Sequence, residues 1–404
     1  MITLVLGFLS FSVGWLGFSR AFKHKSLIIF IWIIVLYYVL TSIVAIVGPD
    51  NRYISDISKV KFMSNMLFCI LGFYFSDIVF NKKKHTEINL NNLKHEKVFI
   101  YLEWVYWASF ILTFFKLRTL DYASYNTSSG AGWAQVFFML SSGIIFYFML
   151  KKKWFKICIS ILMMILIVSV LNIRSLFYFI LMPIAFYFIY NVLFKVNNLR
   201  DFVIKCTPLI IFVFVASFIV SYLRFGIYSL PETELTTIAL DSMERWKFEY
   251  QYGNSAFQYL SGFLSPIRNA VSIIGLEIPD FMKFVPSVPQ LNAMIRAQVT
   301  DMDFLEDAYH MPATLFYDFL MSWNLFAPFA AFLVYWYFIK VFNTFQKSGF
   351  RLVLFSSLVG WHFYMLMRGA VDTCASAMAY PVLLGFIVYY MSKKAGLIKF
   401  ESKE

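Results

Sequence analysis

The chain has 404 residues, is 60% hydrophobic and only 14% charged, and carries a formal net charge of +12. Soluble domains are about half apolar and about a quarter charged, so a mean hydropathy of +0.69 excludes an ordinary soluble fold. The short alternating segments of a β-barrel are absent. Apolar runs of about 20 residues, long enough to cross about 30 Å of hydrocarbon as helices, recur along the whole length. The expected fold is an all-α polytopic membrane protein, one integral domain over residues 1–404.

Eleven spans are predicted, at roughly 1–19, 26–48, 62–80, 98–117, 133–150, 157–172, 175–194, 206–223, 312–339, 352–367 and 373–391. The first opens without a basic segment or a small-residue cleavage site and reads as a retained span. Cys69, Cys158, Cys206 and Cys374 all fall within apolar runs and have no metal-type spacing. They read as small buried hydrophobes.

Alternate connections carry the cations. Arg20, Lys23 and Lys25; Lys82, Lys83, Lys84, Lys94 and Lys97; Lys151, Lys152, Lys153 and Lys156; Lys195, Arg200 and Lys205; Lys340, Lys347 and Arg351; and Lys393, Lys394, Lys399 and Lys403 make 22 of the 35 Lys and Arg. The positive-inside rule makes these loops cytoplasmic, with the N-terminus outside and the C-terminus inside. The excess positive charge is then mostly a topology signal, helped by anionic inner-leaflet lipid, and nucleic acid is not required. The alternation survives only if the chain reverses near Asn172–Ser175, which puts Arg174 in an outer hairpin.

The other outer connections are short, at 49–61, 118–132, 173–174 and 368–372, but one, 224–311 between the eighth and ninth spans, is large. It contains Pro231, Pro266, Pro279, Pro286 and Pro289 and eleven acidic residues. A connection this long is functional or a small subdomain. No internal repeat and no pair of broken, inverted segments is read from the sequence.

Phosphate-binding glycine loops, HExxH, dinucleotide fingerprints and CxxC pairs are all absent. The inner loops are too small for a nucleotide site, so chemistry is expected at the outer face. Its arginines include Arg118, Arg174, Arg224, Arg245, Arg268, Arg296 and Arg368. A guanidinium forks onto phosphate through parallel charge-assisted hydrogen bonds. Any one span-end arginine is equally explained by snorkelling, but as a group they point to a diphosphate. His310, in "FLEDAYHMPATLFYDF", is a candidate general base, with Glu306 and Asp307 close enough to orient it or replace it. His362 lies inside a span and reads as packing. Asp301–Asp303, "DMD", looks like a metal-binding tripeptide but has no further ligand. Asp77 and Glu103 lie within or near spans, too few acids for a proton-coupled pump. Trp246, Tyr250, Tyr252 and Tyr259 suit stacking on sugars or packing within the loop.

Spans, loop and rim arginines together resemble the bacterial O-antigen polymerase (Wzy) family, with its GT-C-like membrane fold. "LNIRSLFYFILMPIAF" resembles that family's short arginine turn. "YHMPATLFYDFLMSWNLFAPFAAFLVYW" resembles the helix after its large loop, and "MRGAVDTCASAMAYPVLLGF" its late Arg-Gly turn. The resemblance implies glycosyl transfer between undecaprenyl-diphosphate-linked oligosaccharides at the outer face of a bacterial plasma membrane. No nucleotide sugar, cofactor or metal is implied, and a chain-length regulator protein is a candidate partner. Arg174 and Arg368 match the family turns as diphosphate ligands, while Arg224 and Arg268 join them by position. The glycines common in the family's post-loop helix are replaced here by "MSWNLFAP", which keeps the related O-antigen ligases open. A polyprenyl-phosphate-sugar transferase would want acids in the first outer loop, where only Asp50 and Asp56 stand. A polysaccharide flippase would want more spans and no dominant loop.

Overall fold

The computed structural model describes residues 2–47, 56–88, 96–118, 133–171, 175–225 and 326–360, with Phe316, His362, Leu366 and a few positions between Ile387 and Gly396. Every regular element among them is helical. In chain order these are α1 (Ile2–Lys23), α2 (Ile29–Val47), α3 (Asp56–Phe80), α4 (Glu96–Arg118), α5 (Trp133–Ser141), α6 (Ile144–Leu150), α7 (Trp154–Leu171), α8 (Ser175–Lys195), α9 (Leu199–Phe225), α10 (Ala327–Phe345) and α11 (Gly349–Phe355). Among the described residues, four helical stretches are long and apolar enough to cross a membrane: Ile2–Lys23, Lys59–Phe80, Val98–Lys116 and Tyr178–Lys195. The described residues form an all-helical bundle of a membrane-embedded protein.

The lysine-bearing connections meet at one end. His85 N–H donates to His24 O at 2.8 Å, joining the strap 81–88 to the α1–α2 turn. Lys25 Nζ donates to Leu193 O at 2.7 Å and to Val196 O, at the C-terminus of α8. Gln346 accepts from Leu27 N–H at 3.3 Å and donates to Lys25 O at 3.1 Å. The last link is aromatic: Phe99 of α4 stacks on Tyr147 of α6 at 4.5 Å and lies 5.7 Å from Phe350 of α11. Five of the six basic connections expected on one side are thus gathered there. The sixth, beyond residue 391, falls largely outside the described residues.

Helix directions follow. α7 leaves the basic end at Trp154, α8 packs on it and returns at Lys195, and α9 departs again toward Phe225. The reversal expected between Leu171 and Ser175 is therefore present. α10 runs back toward the lysines, parallel to α3, and the two form the most extensive helix pair. Pro328 sits in the first turn of α10, where its missing N–H costs no hydrogen bond. Backbones come close there because a Cβ on Gly72 would lie 2.3 Å from Pro328 O. In lipid, where tails are as apolar as leucine, such close approach and polar ties hold helices together. The core beside this contact is aromatic: Phe73 lies 5.0 Å from Tyr335 and 5.8 Å from Phe316, and Trp32 lies 5.3 Å from Tyr335.

Two helix ends share one device. Ser26 N–H bonds to Ala21 O and Lys25 N–H to Phe22 O, with Lys25 at φ 51°. Likewise Lys153 N–H bonds to Phe148 O and Lys152 N–H to Met149 O, with Lys152 at φ 52°. Both are Schellman closures in which lysine occupies the left-handed position usually given to glycine.

Two of the foreseen spans carry a break. The span foreseen at 133–150 is interrupted between α5 and α6, and that at 352–367 is interrupted after Phe355. Ser141 Oγ donates to Phe137 O at 2.6 Å and Ser142 Oγ to Met139 O at 2.7 Å. Ser356 Oγ donates to Val353 O at 2.8 Å and to Gly143 O at 3.1 Å, so the breaks touch. Because α5–α6 runs toward the lysines and α11 away from them, the pair is antiparallel. Hydroxyls take up carbonyls near each lost turn, which makes a break tolerable at membrane depth.

Candidate functional site

Of the seven residues expected to carry chemistry, one lies in a described element. Arg224 is in the last turn of α9, at the end of the bundle opposite the lysines. Arg174, Arg268, Arg368, His310, Glu306 and Asp307 lie outside the described residues, as does Asp301–Asp303. Residues 172–174 are nevertheless bounded by the far ends of α7 and α8. α9 ends and α10 begins on that far side, and Phe316, ahead of α10, is already buried against Tyr38 and Phe73.

The best-defined polar cluster is at the basic end, where α1, α3 and α10 meet. Asp77 is completely enclosed, and its Oδ2 lies 3.1 Å from Arg20 Nε. That contact is a charge pairing rather than an aligned hydrogen bond, since neither atom has a hydrogen-bond partner. The other carboxylate oxygen accepts from Asn81 Nδ2 at 3.0 Å and from the Tyr335 hydroxyl at 3.3 Å. Arg20 Nη2 reaches over the end of α3 to Asn81 O at 3.4 Å and Ile78 O at 3.5 Å. The guanidinium thus compensates both a buried carboxylate and the negative end of a helix dipole. A second tie joins Glu103 of α4 to Lys156 of α7, with Trp107 Nε1 donating to Glu103 at 3.4 Å.

Around this lock the strap 81–88 is pinned at both ends. Asn81 N–H bonds to Asp77 O at 2.9 Å, and the Tyr190 hydroxyl accepts from Ile88 N–H at 3.2 Å. Lys82, Lys83 and Lys84 remain exposed between these points. Partial burial lowers the His24 imidazole below its ordinary range, and Arg20 adds to the effect. His85 is lowered in the same direction by burial, then by His24 and Lys83. Burial also lowers the Lys25 ammonium, with Lys84 contributing. The cluster fixes helix ends and holds a positive face.

Sequence reasoning noted Asp77 but missed its partners. The available signal was that Arg20 and Asp77 carry opposite charges at neighbouring span ends on the same side, with Asn81 one helical turn beyond Asp77. His362 is where it was expected: its ring is buried 5.3 Å from Phe338 and 5.4 Å from Phe342. Cys69 and Cys206 are buried as expected, whereas Cys158 is exposed on α7. No protein-family model, no curated protein and no solved structure matches the chain.

Proposed function

We propose that the protein is a membrane glycosyltransferase that polymerises undecaprenyl-diphosphate-linked oligosaccharide repeat units. Arg174, Arg224, Arg268 and Arg368 bind the diphosphate and stabilise its developing charge. The bond from the growing chain's terminal sugar to diphosphate breaks, and a glycosidic bond to a hydroxyl of the incoming unit forms. The hydroxyl proton passes to His310, Glu306 or Asp307. Undecaprenyl diphosphate leaves, so energy comes from the donor itself and no nucleotide is consumed. The reaction face is the outer face of a bacterial plasma membrane, with the lysines in the cytoplasm.

One observation carries this reading: the two ends of the bundle differ, with the basic connections gathered at one of them. The far ends of α7, α8 and α9 and the start of α10 lie opposite the lysines. Arg224, in the last turn of α9, shares that side with the end of α7 and the start of α8.

The paired breaks at Ser141–Gly143 and Ser356–Ser357 favour a second reading, a flippase in which these halves move during transport. One reconstitution separates the two. Purified protein receives extracted lipid-diphosphate-linked repeat units, and products are resolved on a gel. A ladder that forms without nucleotide and is lost in Arg174→Ala and Arg368→Ala supports the polymerase. No ladder, with repeat units crossing protein-containing vesicles, supports the flippase.

A further inference from the structure

Beyond that reading, we propose that the outward face of α3 and α10 at the basic end is a binding site for an anionic glycerophospholipid. Its acyl chains lie on Phe80, Phe332 and Trp336, and its phosphate is held by Lys82 and Lys340.

Three observations converge on this face. First, the apolar part is built and outward-facing. The Phe80 ring lies 5.6 Å from Phe332 and 6.2 Å from Trp336, and Phe80 and Trp336 are each 40% exposed. Val79 and Leu333 extend it along the two helices, also exposed. Second, the cations sit at one end of this strip. α3 and α10 are parallel, so Lys82, just past Phe80, and Lys340, one turn past Trp336, both lie toward the basic end. Lys340 Nζ is 5.6 Å from the centre of the Trp336 ring. That places an ammonium over an aromatic face at the headgroup boundary, the depth that tryptophan prefers.

Third, among the described residues neither Lys82 nor Lys340 takes part in an ion pair. α10 contains no acidic residue. Asp77, the acid on the adjacent turn of α3, is enclosed against Arg20 and faces inward. The strap that carries Lys82 is pinned at Asn81 and Ile88, so its position is fixed before a ligand arrives. Fixed cations above an exposed aromatic strip match a molecule with a phosphate at one end and hydrocarbon at the other.

The test uses the full chain in detergent, with phosphatidylglycerol, phosphatidylcholine and glycerol 3-phosphate as probes and native mass spectrometry as the readout. Two near-surface ammoniums, each giving about a fivefold preference, predict that phosphatidylglycerol is retained about 25-fold better than phosphatidylcholine. Lys82→Gln/Lys340→Gln should remove that preference, and Lys82→Arg/Lys340→Arg should keep it. Quenching by bromine-labelled phosphatidylglycerol supplies a second readout, and the part due to this site should vanish in Trp336→Phe. Equal retention of the two lipids, unchanged selectivity in the Gln double variant, or unchanged quenching in Trp336→Phe would overturn the proposal. Displacement of the lipid by millimolar glycerol 3-phosphate would overturn it too, by showing a site for soluble phosphate.

Discussion

Arg20 of α1 and Asp77 of α3 are 3.1 Å apart, and the carboxylate has no solvent contact at all. Removing one partner strands the other, whereas removing both removes the desolvation cost as well. Arg20→Ala is therefore expected to lose about 3–5 kcal/mol, read as a lower midpoint in SDS titration from mixed micelles. Arg20→Met/Asp77→Leu should lose clearly less than Arg20→Ala. A double variant as unstable as the single one would show that the pair is not the source of the loss.

Gly72 marks the closest approach of α3 to α10. Its added Cβ would meet a backbone oxygen, Pro328 O, at 2.3 Å, and backbone cannot swing aside as a side chain can. Gly72→Ala should destabilise by roughly 1–3 kcal/mol, the usual cost of overpacking. Gly14→Ala, which meets the end of the Leu36 side chain at 3.0 Å, should cost less. Equal midpoints for the two variants would count against the α3–α10 contact.

Lys152 and Lys25 both adopt left-handed backbone, and the Lys25 ammonium is also tied to the end of α8. Relief of left-handed strain is worth about 1 kcal/mol. Lys152→Gly should therefore raise stability by about that amount. Lys25→Gly gives up its bonds to Leu193 O and Val196 O and should be destabilising. The comparison is a pair of melting curves in one detergent.

His24 and His85 have lowered imidazole pKa values in the folded chain and ordinary ones near 6.5 when unfolded. Below pH 6.5 the unfolded chain binds more protons, so stability rises with pH through this window. The contribution is complete above pH 6.5 and is lost as pH falls toward the folded-state values. Wild type should lose melting temperature between pH 7.5 and 5.5, and His24→Asn/His85→Asn should lose less. Parallel profiles for the two proteins would rule this out.

Charge patterning made most of the fold legible. The lysines marked the connections that meet, and Arg174, alone in an apolar run, marked a reversal between α7 and α8. Helix ends were harder to read. α3 begins at Asp56 and α9 at Leu199, ahead of the apolar runs, because Lys59, Lys61, Arg200, Asp201 and Lys205 continue the helices into polar surroundings. The breaks at Ser141–Gly143 and after Phe355 escaped notice because a serine pair leaves a hydropathy window nearly unchanged. The Arg20–Asp77 pair was hidden for another reason: only folding brings those two span ends together.

The proposed function needs the basic connections at one end of the bundle and the reaction face at the other. The most direct measurement is side-specific labelling of single cysteines, Lys83→Cys and Ser175→Cys, in a cysteine-free background with a membrane-impermeant maleimide. Intact cells should label Ser175→Cys only, and Lys83→Cys should label once the membrane is opened. Labelling of both from the same side would contradict it.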